Sequence, residues 1–253
     1  MKLTFLGTGT SQGVPVIACK CNTCLSDYEK DKRLRSSVLI EINGKNIVID
    51  SGQDFRQQML KFNVEKLDAI LFTHEHKDHM GGLDDVRAYN YIQKKDMDVY
   101  CENRVEEALR REYAYIFADF KYPGVPDVKI NIIENKDFFV DDIKIIPIRV
   151  LHHKLPVYGF RIANLTYITD ANFISDEEME KIYGTDILII NALRKQKHIS
   201  HFNLEEALEV IKKVNPKKAY LTHISHLMGL HNAVEKELPK NVFLAYDALQ
   251  IKV

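Results

Sequence analysis

The sequence lacks both a surplus of charge of one sign and any long apolar run. Its 253 residues include 35 lysines and arginines against 36 aspartates and glutamates, which leaves a formal net charge of −1. Because non-specific binding to nucleic acid depends on a surplus of basic side chains, this balance disfavours it. No apolar stretch approaches the length that crosses a bilayer, and the apolar run at the N-terminus is too short for a secretory signal. We therefore expect a cytoplasmic protein without a membrane partner.

Cysteine is also scarce, and its distribution is uneven. Of the four cysteines, Cys19, Cys21 and Cys24 lie together, whereas Cys101 is isolated. Such close spacing in a reducing compartment favours metal ligation over disulfides, although three buried reduced thiols would fit the same pattern. We expect Cys101 to pack as a small apolar residue.

Short β-rich runs alternate with helical patterns, which predicts an α/β fold. The predicted helices lie near residues 52–62, 82–94, 104–118, 176–183, 203–214 and 231–238. The predicted strands are LTFLG, SVLIEIN, NIVID, AILFT, MDVYC, KINII, IKIIPIRV, YGFRI, LTYIT and DILII, with YLTH and VFLAY as the last two. No low-complexity linker divides the chain, so we expect one domain over residues 1–253.

Two segments of the chain resemble each other. In each, a strand ends in aspartate, a short helix follows, and a second strand begins just after another aspartate: Asp50 and Asp68 in one, Asp170 and Asp186 in the other. This suggests two similar halves, roughly 1–125 and 126–253, although chance likeness between β-α-β units is common. If the halves are real, two sheets would face each other with helices outside, and ligands would gather where the strand ends meet.

The stretch FTHEHKDHMGG contains the densest group of potential metal ligands. His74 and His76 can point to one side of an extended segment, while Asp78 and His79 lie at the turn into a helix and can point to a second place nearby. The other interpretation is a solvated polar loop. It would have to account for further donors that recur where strands should end: His152, His153, Asp170, His223 and His226. Imidazole and carboxylate groups in this number suit two ions of zinc, manganese or iron.

HEHKDH resembles the His-x-His-x-Asp-His motif of the metallo-β-lactamase superfamily, and the later donors follow in that superfamily's order. The resemblance covers nearly the whole chain and implies an αββα four-layer sandwich with two facing mixed sheets. It implies two catalytic divalent ions, Mn²⁺ or Zn²⁺, with Asp50 in the IDSG segment steadying a ligand. The implied ligands are His74, His76 and His152 for one ion, Asp78, His79 and His223 for the other, and Asp170 between them. The choice of His152 over His153 rests on the resemblance alone.

FLGTGTSQGVPVIACKCNTC resembles the start of the PhnP-like phosphodiesterases, which act on phosphoribosyl cyclic phosphates. In that group three cysteines with this spacing join a histidine three residues after the last catalytic histidine, and His226 stands three residues after His223. Three thiolates and one imidazole make a closed structural zinc site, here Cys19, Cys21, Cys24 and His226. The resemblance also implies a homodimer.

The implied reaction is hydrolysis of a small cyclic phosphodiester by a hydroxide that bridges the two ions, with Asp78 and His201 as catalytic residues. His201, just before the helix predicted at residue 203, would donate a proton to the leaving oxygen or hold its developing charge. His198 is a weaker candidate, and either histidine could instead be a surface residue; His231 is expected at the surface or as a helix cap. Asn191 and the basic residues after it depart from the pattern and put the exact substrate in doubt.

Three other functions share parts of this pattern. RNA 3′-end processing uses the same site but needs an arm that grips transfer RNA, and no protruding basic insertion rich in glycine and proline is present. Hydrolysis of a lactone, thioester or β-lactam is compatible with the same ligands. A non-catalytic metal-binding protein would be expected to have lost ligands, whereas every expected position is filled here.

Overall fold

Two β-sheets face each other in the computed structural model, which describes residues 1–253. The first sheet has seven strands in the order β15-β1-β2-β3-β4-β5-β6. Strands β3 to β6 run parallel, while β1 and β2 are antiparallel to their neighbours. The strands are β1 (Lys2–Gly7), β2 (Ser37–Ile42), β3 (Lys45–Ile49), β4 (Ala69–Leu71), β5 (Met97–Cys101), β6 (Val128–Ile132) and β15 (Gln250–Lys252).

The second sheet has eight strands, in the order β11-β8-β9-β10-β12-β13-β14 with β7 paired to β8. Its parallel part runs from β10 through β12 and β13 to β14. The strands are β7 (Phe138–Val140), β8 (Ile143–His152), β9 (Leu155–Ile162), β10 (Leu165–Ile168), β11 (Phe173–Ile174), β12 (Ile187–Asn191), β13 (Lys218–Thr222) and β14 (Val242–Leu244).

Seven α-helices cover the outer faces of the sheets. The first four belong to the half that forms the first sheet, and the last three to the half that forms the second. They are α1 (Phe55–Lys61), α2 (Lys77–Met80), α3 (Arg87–Gln93), α4 (Asn103–Glu112), α5 (Asp176–Ile182), α6 (Leu204–Val214) and α7 (His231–Glu235). Helix α6 begins with the predicted capping pattern, in which the Asn203 side chain accepts from the Glu206 N–H and the Glu206 side chain accepts from the Asn203 N–H.

The strand residues alternate between two apolar layers, as the period of two in a strand requires. In β3, Ile47 and Ile49 face the second sheet, where they join Phe160 and Tyr167, whereas Val48 faces the helices. Both faces of each sheet are therefore covered, which explains why the parallel strands read as nearly continuous apolar runs. The predicted αββα sandwich is confirmed.

Most predicted elements are present, but several boundaries were wrong. The helix expected over 104–118 ends at Glu112, because Tyr113 and Ile116 turn into the core there. The region expected as one helix over 82–94 begins with a 3₁₀ turn at Leu83–Val86 and becomes α-helical at Arg87. The last helix stops at Glu235, four residues before a proline, and the prediction missed the short strands β7, β11 and β15.

The two predicted halves map mainly onto different sheets. Strands β1–β5 of the first half lie in the first sheet and β7–β14 of the second half in the second, while β6 and β15, which also belong to the second half, lie in the first sheet. Duplication of the halves and the single-domain organisation stay predictions. No helix of the structure has the length and apolar character needed to span a membrane.

Candidate metal centre

The predicted ligands come from strand ends that meet at one edge of the sandwich. His74 follows β4, His152 is the last residue of β8, Asp170 follows β10, and His223 comes directly after β13. The carboxyl ends of parallel strands lie at the same edge of a sheet, and the sandwich brings the two edges together. Asp50 follows β3 at the same edge.

Three of these residues have left-handed backbone conformations. The φ angles are 63° at Asp50, 54° at Asp170 and 53° at His223. Residues other than glycine adopt this region at a cost of about 1–3 kcal/mol, which the surrounding structure must offset. In each case the chain turns sharply as it leaves a buried strand, and the turn keeps the side chain at the strand end.

The His74–His79 segment is held by close backbone contacts with the loop after β3. A Cβ atom at Gly52 would lie 2.0 Å from the carbonyl oxygen of Asp78, and one at Gly82 would lie 2.2 Å from the carbonyl oxygen of Gly52. Only glycine allows this approach. The start of helix α2, which carries Asp78 and His79, is therefore seated directly on the loop that follows Asp50.

Asp170 lies at the centre of the cluster. Its Oδ2 is 2.6 Å from His79 Nε2 and 3.2 Å from His74 Nε2, while its Oδ1 is 2.8 Å from His223 Nε2. Asp78 Oδ2 is 3.1 Å from His79 Nε2 and 3.7 Å from His223 Nε2. Four residues each offer one ligand atom here, and these four atoms all lie within 4.8 Å of one another: Asp78, His79, Asp170 and His223.

The second predicted ligand set is grouped around His74. Its ring centroid lies 4.6 Å from that of His76 and 5.8 Å from that of His152, and His76 and His152 are 5.1 Å apart. His76 is exposed, whereas His74 is fully buried. The structure thus brings together both predicted ligand sets, with Asp170 in contact with members of one and with His74 of the other. Their assignment as metal ligands stays a prediction.

Hydrogen bonds at Nδ1 orient the histidine rings. His79 Nδ1 lies 2.7 Å from Asp50 Oδ2, and His152 Nδ1 lies 2.8 Å from the carbonyl oxygen of Ser200. His74 Nδ1 lies 2.9 Å from Thr73 Oγ1, whose hydroxyl donates to Asp50. An Nδ1–H that donates to these acceptors leaves each Nε2 lone pair free, as metal ligation requires. Asp50 thus has the contact expected of its predicted supporting role.

Two further residues have supporting roles that the sequence did not predict, although Asn191 stood out there as a departure from the pattern. The Asn191 side chain accepts from the Ala171 N–H at 2.8 Å and donates to the Ala171 carbonyl at 2.9 Å, which fixes the backbone next to Asp170. The Ser200 carbonyl orients His152. An asparagine at the end of a buried strand beside β10 was a usable sign, but nothing in the sequence marked a backbone carbonyl.

The electrostatics of the cluster show a strong demand for positive charge. Burial opposes ionisation of Asp170, but His223 and His79 hold its pKa well below its usual range. Burial also disfavours the charged form of His79, yet Asp78, Asp170 and Asp50 raise its pKa well above its usual range. Burial lowers the pKa of His74. Without a metal ion, protons on histidine must therefore balance the carboxylates.

The buried nitrogen atoms of the cluster fit metal ions. His74 Nε2, His79 Nε2 and His223 Nε2 are inaccessible to solvent and have no partner with hydrogen-bond geometry, although carboxylate oxygens lie close by. A buried polar atom left in this way costs about 1–3 kcal/mol. Ligation of a divalent cation would satisfy these atoms and the charge demand together.

A second candidate metal site lies at the N-terminal loop. Cys19 Sγ and Cys21 Sγ are each 3.3 Å from His226 Nδ1, and Cys24 completes a group whose ligand atoms all lie within 4.8 Å of one another. The Cys24 N–H and His226 lower the pKa of Cys21 to about 6, whereas burial raises that of Cys24 to about 11. Three sulfurs and one nitrogen form the predicted zinc ligand set. Cys101 is buried away from it in the apolar core, as expected.

The four remaining histidines lie in four different environments. His201 Nε2 lies 3.0 Å from Asp170 Oδ1, and its ring stacks on that of His223 at 5.0 Å. His198 Nδ1 is 3.2 Å from His201 Nδ1, so His198 lies outside His201 and not in the cluster itself. His153 is exposed. His231 was expected at the surface or as a helix cap; it is the first residue of α7, after the cap residue Leu230, and it is fully buried beside Arg33 and Glu235.

Comparison with known proteins assigns the family. A family model for the β-lactamase superfamily domain matches residues 45–224, more than half of the chain. The chain belongs to the β-lactamase superfamily. The crystal structure of a diphosphatase from the PhnP family matches with a TM-score of 0.94 at 36% identity, covering 100% of this chain and 97% of that one. The predicted resemblance to PhnP-like hydrolases of the metallo-β-lactamase fold is therefore confirmed.

Two curated relatives have other names. A protein of Porphyromonas gingivalis named octanoyltransferase is 39% identical over 253 residues, which cover 99% of this chain and 51% of that protein. Ribonuclease Z of Nostoc punctiforme is 25% identical over 169 residues, 64% of this chain and 47% of that protein. The chain thus spans about half the length of these curated relatives.

Proposed function

We propose that this protein is a metal-dependent phosphodiesterase that hydrolyses a small cyclic phosphodiester of the phosphoribosyl 1,2-cyclic phosphate kind. The observation that carries this proposal is the position of Asp170, which contacts His79 and His223 of one predicted ligand set and His74 of the other. A carboxylate between two ligand sets is what a pair of ions a few ångströms apart requires. When bound, two divalent ions would lower the pKa of a water molecule between them and neutralise phosphate charge.

The residues of the chain would orient the substrate and move one proton. Hydrolysis adds hydroxide to phosphorus and breaks the bond to the leaving ester oxygen, which needs a proton. His201 is suited to supply it, because its Nε2 faces the cluster at Asp170 while its Nδ1 lies 3.0 Å from Ser200 Oγ. The proton would pass from His201 Nε2 to the leaving oxygen. The near balance of charge supports a small substrate over nucleic acid.

A diphosphate is a second candidate substrate. Its support is the matching PhnP-family structure, which is described as a diphosphatase. Cleavage of a phosphoanhydride would use the same groups, with phosphate in place of an alkoxide as leaving group. Because phosphate is a better leaving group, this reaction would depend less on proton donation by His201.

Hydrolysis at a carbonyl carbon is a third candidate, supported by the relative named octanoyltransferase. That name belongs to a protein about twice as long, so the half that this chain does not match could account for it. RNA 3′-end processing is a weaker candidate, because it needs an arm that grips transfer RNA. The segment between α4 and β6 contains Lys121, Pro123 and Gly124 but is too short for such an arm.

The experiment measures metals per chain and then the turnover of manganese- and zinc-loaded protein. The substrates are phosphoribosyl 1,2-cyclic phosphate, linear phosphodiesters, a diphosphate, a transfer-RNA precursor, a lactone and an octanoyl thioester. We expect two ions in addition to the structural zinc and a clear preference for the cyclic phosphate. Fewer than two ions in the histidine cluster, or preference for a carbonyl substrate, would overturn the proposal.

Two variants sharpen this experiment. His201→Ala should lower kcat on the cyclic phosphate by about 10²–10⁴-fold without changing metal content, because general acid catalysis typically contributes that much. Asp78→Ala should abolish turnover and remove metal while the protein stays folded. A non-catalytic protein that only binds metal would keep that metal-binding function in the His201 variant. The homodimer and the cytoplasmic location remain expectations, the first of which light scattering would test.

A further inference from the structure

A cavity of about 750 Å³ lies beside the N-terminal loop and includes none of the cluster histidines. Its walls come from four parts of the chain: the N-terminal loop at Val14, the segment around Lys30, helix α1 at Lys61 and the turn at Tyr246. Binding sites for small molecules usually measure about 300–1,000 Å³, so its size suits such a ligand.

The cavity carries an excess of positive charge. Its lining contains four basic side chains and two carboxylates, and both carboxylates are already engaged. Glu29 pairs with Lys32 at 3.1 Å, and Asp247 accepts hydrogen bonds from the Leu34 N–H and the Thr8 hydroxyl, each at 2.7 Å. The basic side chains are Lys30, Lys32, Arg33 and Lys61.

Lys30 and Lys61 are the two cations left without a carboxylate partner. Neither takes part in an ion pair, whereas Lys32 of the same lining is paired with Glu29. Lys30 Nζ lies 4.1 Å from the centroid of the Tyr246 ring, which holds it at the cavity. Lys61 lines the same concave surface, with its Nζ 5.8 Å from the centroid of the Phe62 ring. Two lysine side chains without a carboxylate partner on one concave surface are suited to a phosphate group.

A buried arginine makes the inner wall rigid. Arg33 is 5% exposed, and its Nη1 donates to Thr8 Oγ1 at 2.8 Å and to the Ala245 carbonyl at 2.5 Å. Burial lowers the pKa of Arg33 to about 10, so the guanidinium still carries its charge at neutral pH. The backbone of Arg33 also pairs with Val14 in both directions, which ties this wall to the N-terminal loop.

We propose that this cavity is a second, non-catalytic site that binds a small phosphate-bearing molecule. Lys30 and Lys61 hold the phosphate, and the exposed ring of Tyr28 gives a surface for the rest of the ligand. Residues next to the lining connect the cavity to both candidate metal sites. Thr8 donates to Asp247 of the lining and its carbonyl accepts from the Ile224 N–H next to His223. Val16, which follows Pro15 of the lining, donates its N–H to Cys24 Sγ.

The test follows backbone amide signals of the zinc-loaded full chain by NMR during titration with AMP, with inorganic phosphate titrated in parallel. The variants are the double substitution Lys30→Gln/Lys61→Gln and, as a matched control, Lys121→Gln/Lys136→Gln at exposed positions elsewhere. We expect saturable shifts at residues 30–34 and 246–248 in the wild type and the control. The affinity of the double variant for AMP at these residues should fall at least roughly tenfold, because it loses two charge-assisted contacts.

The outcomes are distinct from those of the catalytic proposal, because binding is measured without turnover. A response at these residues to phosphate as well as AMP supports a site that recognises the anion itself. A response to AMP alone supports a site that also needs the adenosine part of the ligand. Shifts confined to the histidine cluster, or cavity shifts unchanged in the double variant, would overturn the proposal. The double variant should retain the wild-type kcat.

Discussion

At the scale of the residue, the hydrogen bond at Nδ1 of each histidine ring matters as much as the position of Nε2, because it fixes where Nε2 points. His74, His79 and His152 each direct Nδ1 to an oxygen acceptor, which leaves Nε2 toward the cluster. The sequence motif predicted which residues supply donors, because their types and spacing are visible in the sequence. It did not predict acceptors such as the Ser200 carbonyl, since these are set by how distant segments pack.

The neighbours His152 and His153 give the sharpest test of a single ligand. His152 lies in the cluster with 9% of its surface exposed, whereas His153 is exposed with a left-handed backbone. We expect His152→Ala to lose bound metal and to lower kcat/KM by at least roughly 10²-fold, because a predicted ligand is removed. His153→Ala is its matched control and should keep both. Metal analysis and steady-state kinetics check this, and loss of metal in the His153 variant alone would reverse the assignment.

The cysteine site gives a second test at this scale. Because a closed zinc site supplies folding free energy directly, His226→Ala should lose about one zinc per chain and melt at a lower temperature. Cys101→Ala is the control for losing a cysteine from the core: it should melt lower too, but with unchanged zinc content. Mass spectrometry of the metals and thermal unfolding measure both. Equal zinc in the wild type and the His226 variant would contradict the structural-zinc assignment.

At the scale of the element, the strand ends and their turns build the site. The buried strands were predictable because apolar runs with alternating faces are visible in sequence. The left-handed turns at Asp50, Asp170 and His223 were not, because even aspartate and histidine, which adopt that conformation more often than most residues, do so at few positions, and tertiary contacts decide which. Short edge strands such as β11 were missed because two residues carry no period.

The contact between Gly52 and helix α2 gives a prediction for an element. Gly52→Ala would place a Cβ 2.0 Å from the Asp78 carbonyl oxygen, so the start of α2 must shift. We expect it to lower the free energy of unfolding by about 1–3 kcal/mol and to reduce metal content at the cluster.

Gly44→Ala is the matched control for this change. Gly44 has a φ of 74° but open space around its Cβ position, so its substitution costs only about 1 kcal/mol of backbone strain. It should keep full metal content. Denaturant unfolding and metal analysis of the two variants separate the effects, and retention of metal by Gly52→Ala would show that α2 can move without harm.

At the scale of the whole molecule, the site lies between the two sheets. His74, His76, Asp78 and His79 come from the first sheet's side, and His152, Asp170 and His223 from the second. The order of the predicted ligands along the chain was readable from sequence, and so was the layered fold that brings them together. The cavity beside Lys30 was not, because its walls come from four segments that no local pattern connects.

Because each ion would be held by residues from both sheets, metal binding should stabilise the sandwich as a whole. A ligand that binds only the folded state at a hundred times its Kd adds about 2.7 kcal/mol to stability. We therefore expect a strong chelator to lower the melting temperature. It should also speed amide hydrogen exchange at the carboxyl ends of β4, β10 and β13 more than at β15, the edge strand of the first sheet. In Asp170→Ala, which removes the carboxylate between the ligand sets, the same chelator should cause a smaller change that reflects the cysteine site alone. An equal fall in the two proteins would mean that the cluster contributes no metal-linked stability.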